Sequence, residues 1–350
     1  LIANPSATII FCGSGKQTIS GALVGPDKFP NLIVDKAAGS DSVILNNDID
    51  IGGSFATQNA NSIFNAKGKY IRLAGSFSNN NGNATFCNIG TTGVLEFNGS
   101  SVQNYNQGAT RLDLNSVIMN HIGSGVNLAS NLCIKTVTGQ LTLNTGKIIT
   151  DTFEVRVNNT AMNSVSTGNL NSYIKGNLRR YLLQTASAYD FPVGDATFER
   201  ANINFSSNAV NNLRACFVPF TTMPPAIGIK ECNRFYNFQP LNNGKWIIDA
   251  YRDSVTRVYG LAQYNMTLYN TNFTNAGSTN AWTIMKDSVG AGAWYLNGLC
   301  DTTSTASIVK RLNMNGFSHF ATAQGGIVLP VELLSALDCK MHSNFRDVKM

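Results

Sequence analysis

The stretch IIFCGSGKQTIS at 9–20 returns as LEFNGSSVQNYN at 95–106. The correspondence continues downstream, where Leu32, Val34, Gly39, Val43, Leu45, Ile49 and Ile51 are answered by Val117, Met119, Gly123, Val126, Leu128, Leu132 and Ile134. The offset drifts from 86 to 83 residues, so small length changes fall in loops while apolar positions keep their order. A recurring internal period points to a stacked array.

Working outward, residues 1 to about 185 are a succession of short β-type runs, among them Asn31–Val34, Ser42–Leu45, Tyr70–Leu73 and Asn131–Lys135. Period-two alternation over four or five residues marks half-buried strands, and the Asn-Gly and Gly-Ser pairs between them supply the corners. An antiparallel sandwich also spaces short strands by turns, but it has no reason to repeat one order of strands in register. The expected fold here is a right-handed parallel β-helix, with coils of roughly 20 residues and four coils per copy.

A second texture follows. From 186 to 328 the strands lengthen, as in Arg200–Phe205 and Arg257–Tyr269, and Trp246, Trp282 and Trp294 appear as core anchors. Such alternating strands without repetition predict an antiparallel, Ig-like β-sandwich capping the solenoid. Gly325-Gly326 then reads as a hinge, with 329–350 a linker and the first strands of a further, incomplete module.

Composition narrows the function. Charged residues make up 13% and the net charge is +6, so the surface is polar chiefly through Asn, Ser, Thr and Gly. The compact basic group Lys175, Arg179 and Arg180 is too small for a nucleic-acid stripe and is expected to solvate one strand. No apolar run is long enough to span a membrane. The seven cysteines contain no CxxC and no Cys/His cluster, so neither a metal nor a cofactor is expected; Cys216 with Cys232, or Cys300 with Cys339, would suit an oxidising compartment. The start at Leu1 fits a chain whose export signal has been removed.

Three separated stretches resemble one family. FCGSGKQTI at 11–19 is similar to the opening of solenoid coils in bacterial surface proteins exported by the type IX secretion system. SYIKGNLRR at 172–180 with YDFPVG at 189–194 resembles their solenoid-to-sandwich junction, and LPVELLS at 329–335 resembles their linker. Asn177 stands where the family usually has Pro, and Ala336 where it has Phe. The resemblance implies an extracellular or cell-surface protein exported across a Gram-negative outer membrane, structural or adhesive, with no catalytic residues to carry over. It also makes Ser42, Ser254, Ser288 and Thr302, each in an Asp-Ser or Asp-Thr dipeptide, candidate O-glycan acceptors.

Enzymatic readings rest on thin material. Asp48 and Asp50 alternate with Ile49 and Ile51 and offer a calcium site or half of a catalytic pair, but the second copy has Asn131 and Cys133 instead. His121, His319 and His342 lie in different modules without a nucleophile beside them. The expected protein is therefore non-catalytic, with copies of itself, other surface proteins or glycans as partners. Assembly into a filament is one expectation, by donation of the segment carrying Val331, Leu333 and Leu334 to a neighbour's sheet edge. A carbohydrate-binding or polysaccharide-degrading secreted protein is the alternative.

Overall fold

The computed structural model describes residues 7–327 apart from 26–27, 38–40, 61, 83–85, 88–89, 91, 233, 242, 254, 259–261, 271–272, 274–280, 289 and 291. The chain is nearly all β, and its first half is a β-solenoid of about 8 turns. Coils carry up to three short strands, and along each face strands pair in parallel with their counterparts in adjacent coils, with an interruption on the second face after Phe86–Cys87. Leu32 pairs with Phe55, Phe55 with Phe77, and Val126 with Ile148, so a typical coil is 22 or 23 residues.

The first face stacks Thr8–Gly13, Asn31–Lys36, Phe55–Thr57, Phe77–Asn79, Gln103–Asn106, Val126–Leu128, Ile148–Val157 and Ile174–Tyr181. A second face stacks Gln17–Ile19, Ser42–Leu45, Ile63–Asn65 and Phe86–Cys87, and resumes in later coils as Asp113–Leu114 and Leu132–Ile134. The third stacks Ile49–Ile51, Tyr70–Leu73, Val94–Phe97, Ser116–Asn120 and Gln140–Thr145.

Parallel in-register pairing sets like on like inside the coils. Phe55, Phe77 and Tyr105 form one ring stack with centroids 5.4 and 5.3 Å apart, and Phe64 lies on Phe86 at 5.3 Å. Ile49, Ile71, Leu95, Val117 and Leu141 form an aliphatic column on the third face. No single coil buries these side chains; stacking does, and one hydrophobic cluster runs from Ile19 to Phe320.

The 85-residue repeat is not four coils. Phe11 lies on the first face, whereas its counterpart Phe97 lies on the third; Ile49 lies on the third, whereas Leu132 lies on the second. The offset spans three coils and two further faces. Strand and corner alternate alike on every face, so the sequence correspondence tracks that cadence and slips by one face per copy.

Ile174–Tyr181 closes the solenoid. One of its edges pairs in parallel with Ile148–Val157, and its second half pairs antiparallel with Asn212–Val218. Two of the three basic residues in it are buried rather than solvated: Arg179 and Arg180 are 3% and 0% exposed. Arg179 donates to Glu154 at 3.0 Å and to Asn212 Oδ1 at 2.7 Å, while Arg180 donates to the carbonyls of Asp190 and Met162 and to Ser164 Oγ. Lys175 pairs with Asp195 at 3.2 Å. Backbone carbonyls freed at the junction are acceptors that a guanidinium satisfies several at a time, which explains why a buried arginine sits there.

Beyond the junction the strands run antiparallel in two ladders. In one, Ser187–Gly194, Phe198–Asn208, Ala262–Tyr269 and Ile308–Asn315 pair in turn. In the other, Asn212–Val218, Lys245–Tyr251, His319–Ile327 and Ala281–Asp287 do so. Trp246 Nε1 of the second ladder donates to the Glu199 carbonyl of the first at 3.1 Å, and Trp246, Trp282 and Trp294 are all buried. A second, smaller core of Tyr236, Phe238, Met285 and Trp294 lies on the other side of His319–Ile327, under Phe220, Ile227 and Ile229.

The corners between third and first faces bring backbones into contact. A Cβ on Gly75 would lie 2.3 Å from the Gly53 carbonyl carbon, and Gly75 N–H donates to Gly53 O at 2.8 Å. Because the obstacle is backbone, no rotamer relieves it. Gly75→Ala is expected to destabilise the chain by about 1–3 kcal/mol, measured by denaturant unfolding; an unchanged midpoint would show that the coils separate freely at this corner.

Candidate functional site

Two places gather chemistry-bearing side chains. The first is the outer surface of the third face, where pairing sets Asp50, Arg72 and Glu96 on successive coils. Arg72 Nη1 donates to Asp50 Oδ1 at 3.0 Å, Arg72 Nε lies 3.5 Å from Glu96 Oε2, and the guanidinium sits 4.5 Å over the Tyr70 ring. Tyr70 OH donates to Glu96, and burial together with that bond pushes the phenol up to about 12. Asn120 Nδ2 donates to Glu96 Oε1 at 2.6 Å, extending the ladder, and Asp48 accepts the Tyr70 N–H. The two carboxylates singled out in the sequence are thus consumed in pairing between coils.

The second is a cleft of about 390 Å³ on the antiparallel part. Its wall is the segment 218–225, with Phe220 packed edge-on to Trp294 at 5.9 Å above the smaller core. The cleft exists because the Pro-rich stretch from Pro219 to Pro225 runs outside both ladders and is held off the sheet by these rings. At its base Lys245 Nζ bonds His319 Nδ1 at 3.2 Å, and Asp287 Oδ2 is 3.9 Å from the same nitrogen. Antiparallel register does this: Ile247 and Asp287 both pair opposite His319. Burial and the Lys245 charge push the imidazole below its ordinary range, so it is neutral at neutral pH and its Nδ1 accepts from Lys245. Asp287 is 1% exposed and accepts the Gly292 N–H at 3.0 Å.

The other histidine within the described residues is structural. His121 is buried, its Nδ1 facing the Gly123 and Gly125 N–H groups at 3.0 and 3.2 Å and its Nε2 2.8 Å from Ser101 O. His342 lies outside the described residues, as do Ser254, Val331, Leu333 and Leu334. Ser42 is 8% exposed, whereas Ser288 and Thr302 are exposed. Ser288 Oγ lies 2.6 Å from Tyr295 OH.

The cysteines pair differently from the sequence expectation. Cys232 bonds Cys300, joining the turn after Ile227–Glu231 to the strand beside Ile308–Asn315, and Cys12, Cys133 and Cys216 are free. Cys216 is free, Cys300 is taken by Cys232, and Cys339 lies outside the described residues. Glu231 adjoins the disulfide, yet both sulfurs are spent and the carboxylate binds Arg311 at 2.6 Å, so the trio is no metal centre.

Glu199 is a buried group that sequence reading missed, since nothing in its neighbourhood marks it as inward except strand alternation. It is 0% exposed, receives one bond from Thr197 Oγ1 at 2.6 Å, and leaves Oε2 without a partner. Burial pushes it from 4.5 up to about 7. The native state then holds a proton that the unfolded state has lost between those values, so stability falls as pH rises through this window and levels off above it. Glu199→Gln removes that dependence. At pH 8 it is expected to be more stable than the parent by roughly 3 kcal/mol, with the gap closing near pH 4; parallel urea melts across pH check this, and superimposable pH profiles would refute it.

No protein-family model, curated protein or solved structure matches this chain.

Proposed function

We propose that this is a non-catalytic extracellular or cell-surface protein in which a stiff solenoid stalk projects an adhesive all-β head. The observation that carries the reading is the unbroken parallel pairing from Thr8–Gly13 to Ile174–Tyr181 over one continuous core. Every coil is tied to both neighbours by backbone hydrogen bonds, so the rod resists bending and its work is to space or display. The two antiparallel ladders are read as facing layers of a sandwich, and the solenoid as right-handed.

Three further features support this setting. The Cys232–Cys300 bond suits an oxidising compartment. On the third face, the carboxylates that an acid–base mechanism needs are tied to Arg72. Ser288 and Thr302 are exposed as O-glycan acceptors. Export by the type IX route, and joining of copies through the segment with Val331, Leu333 and Leu334, belong to the same reading, with other surface proteins or glycans as partners.

Negative-stain imaging of the purified chain tests it. Uniform short rods with a globular end are expected, alone or joined into polymers, and incubation with a polysaccharide panel should release no reducing ends. A collapsed particle would overturn the stalk, and reducing-end release would favour the polysaccharide-degrading alternative. Polymers that persist after removal of 331–350 would exclude donation of that segment.

A further inference from the structure

We infer that the cleft beneath the 218–225 segment binds a uronate unit of an acidic polysaccharide, with Lys245 Nζ on the sugar carboxylate. This rests on the reading of the antiparallel part as an adhesive head and supplies its ligand class.

The charge comes first. Lys245 is half-buried at the cleft and its described partner is a neutral imidazole nitrogen; no carboxylate among the described residues lies within ion-pairing distance of it. An ammonium carries three donors, so two point elsewhere. Asp287 also lines the cleft, but its carboxylate is 1% exposed, accepts the Gly292 N–H and lies beyond ion-pairing distance of Lys245. A cation set against apolar walls attracts an anion more strongly than one in open water.

The kind of anion follows from what is missing. The charged groups of the lining are one lysine and the buried Asp287, with no arginine. Phosphate and sulfate groups are matched by guanidinium forks or several converging donors, whereas a lone ammonium matches a single negative charge. A carboxylate fits.

The body attached to it follows from the walls. Pro219, Phe220, Met223 and Pro224 give flat apolar surface, and Thr221 and Thr222 set exposed hydroxyls beside it. A pyranose ring has this mixed character, with C–H faces that lie on rings and a hydroxyl rim that bonds to side chains. A wholly apolar tail would leave those hydroxyls facing hydrocarbon. The volume, about 390 Å³, falls within the range of small-ligand sites.

Calorimetric titration of the full chain tests this, with tetrasaccharides of galacturonate, mannuronate and hyaluronan as probes, and a methyl-esterified galacturonate oligomer and a cello-oligosaccharide as neutral controls. At least one acidic oligomer is expected to bind, with affinity falling about tenfold or more on esterification, on Lys245→Met and on Phe220→Ala. Thermal melts within a few degrees of the parent establish that both variants fold. Absence of binding by all three acidic probes overturns the assignment, as do equal affinity for neutral oligomers, an unweakened Lys245→Met variant, or binding of an apolar peptide with a free carboxyl terminus in place of any saccharide. Should the particle image as a rod and still bind none of them, the ligand is wrong and the stalk stands.

Discussion

Parallel pairing between successive coils is the constraint on which the rest of this structure depends. Once Leu32 lies beside Phe55 and Phe55 beside Phe77, each residue's neighbours along the axis are those one coil before and after it. Interior positions must then repeat in kind, which yields ring stacks and aliphatic columns. Corners must stay thin enough for the next coil to approach, and Gly53 against Gly75 is one expression of that requirement. Polar groups caught inside also find partners along the axis: Lys36 Nζ donates to Cys12 O and Gly15 O of the preceding coil, and Thr57 Oγ1 to Asn79 Oδ1 of the following one.

The same constraint makes the end of the stack a problem, since the last strand offers unpaired backbone groups to any other chain. Ile174–Tyr181 resolves it by switching partners within one strand: it pairs in parallel with Ile148–Val157, while away from the solenoid Ile174 and Lys175 pair in parallel with Val193 and Gly194 and Leu178–Tyr181 pair antiparallel with Asn212–Ala215. The change of direction leaves carbonyls at 161, 162 and 190 pointing inward, and Arg180 collects them. Burial lowers this guanidinium to about 10, a shift that still leaves it charged at neutral pH. The solenoid and the antiparallel part therefore share a sheet and a core, so they are joined through backbone hydrogen bonds.

Much of this was legible in the sequence, for a physical reason. Strand alternation and corner residues are local properties, and the IIFCG and LEFNG stretches reported both, so the solenoid and the shift to longer strands near 186 could be read. Register was not legible, because all three faces use the same strand-and-corner grammar; Phe11 and Phe97 look alike while facing different walls. The burial of Arg179 and Arg180 was hidden because their partners include backbone atoms and a distant Asn212, which carry no sequence signature. The cleft was hidden for a related reason: 218–225, Lys245, Asp287, Trp294 and His319 share no window of sequence and meet through antiparallel register.

The geometry of a stack also bears on what its charged face does. Adjacent strands are about 4.8 Å apart, so the backbones of residues two coils apart are separated by roughly 10 Å along the axis, and side chains that lean onto a shared partner come closer. Asp50 and Glu96 stand in that relation. A pair of carboxylates cleaving a glycosidic bond works at about 5–5.5 Å with a covalent intermediate, or about 6.5–9.5 Å with a water between them. Here the space between is filled by Arg72, which touches both, under the Tyr70 ring. A cation in that place takes up the room that a scissile bond and its attacking water would need between the two carboxylates. What the arrangement does supply is attraction between coils on the outer wall, matching the apolar columns within, so that each coil is gripped from both sides of its strand.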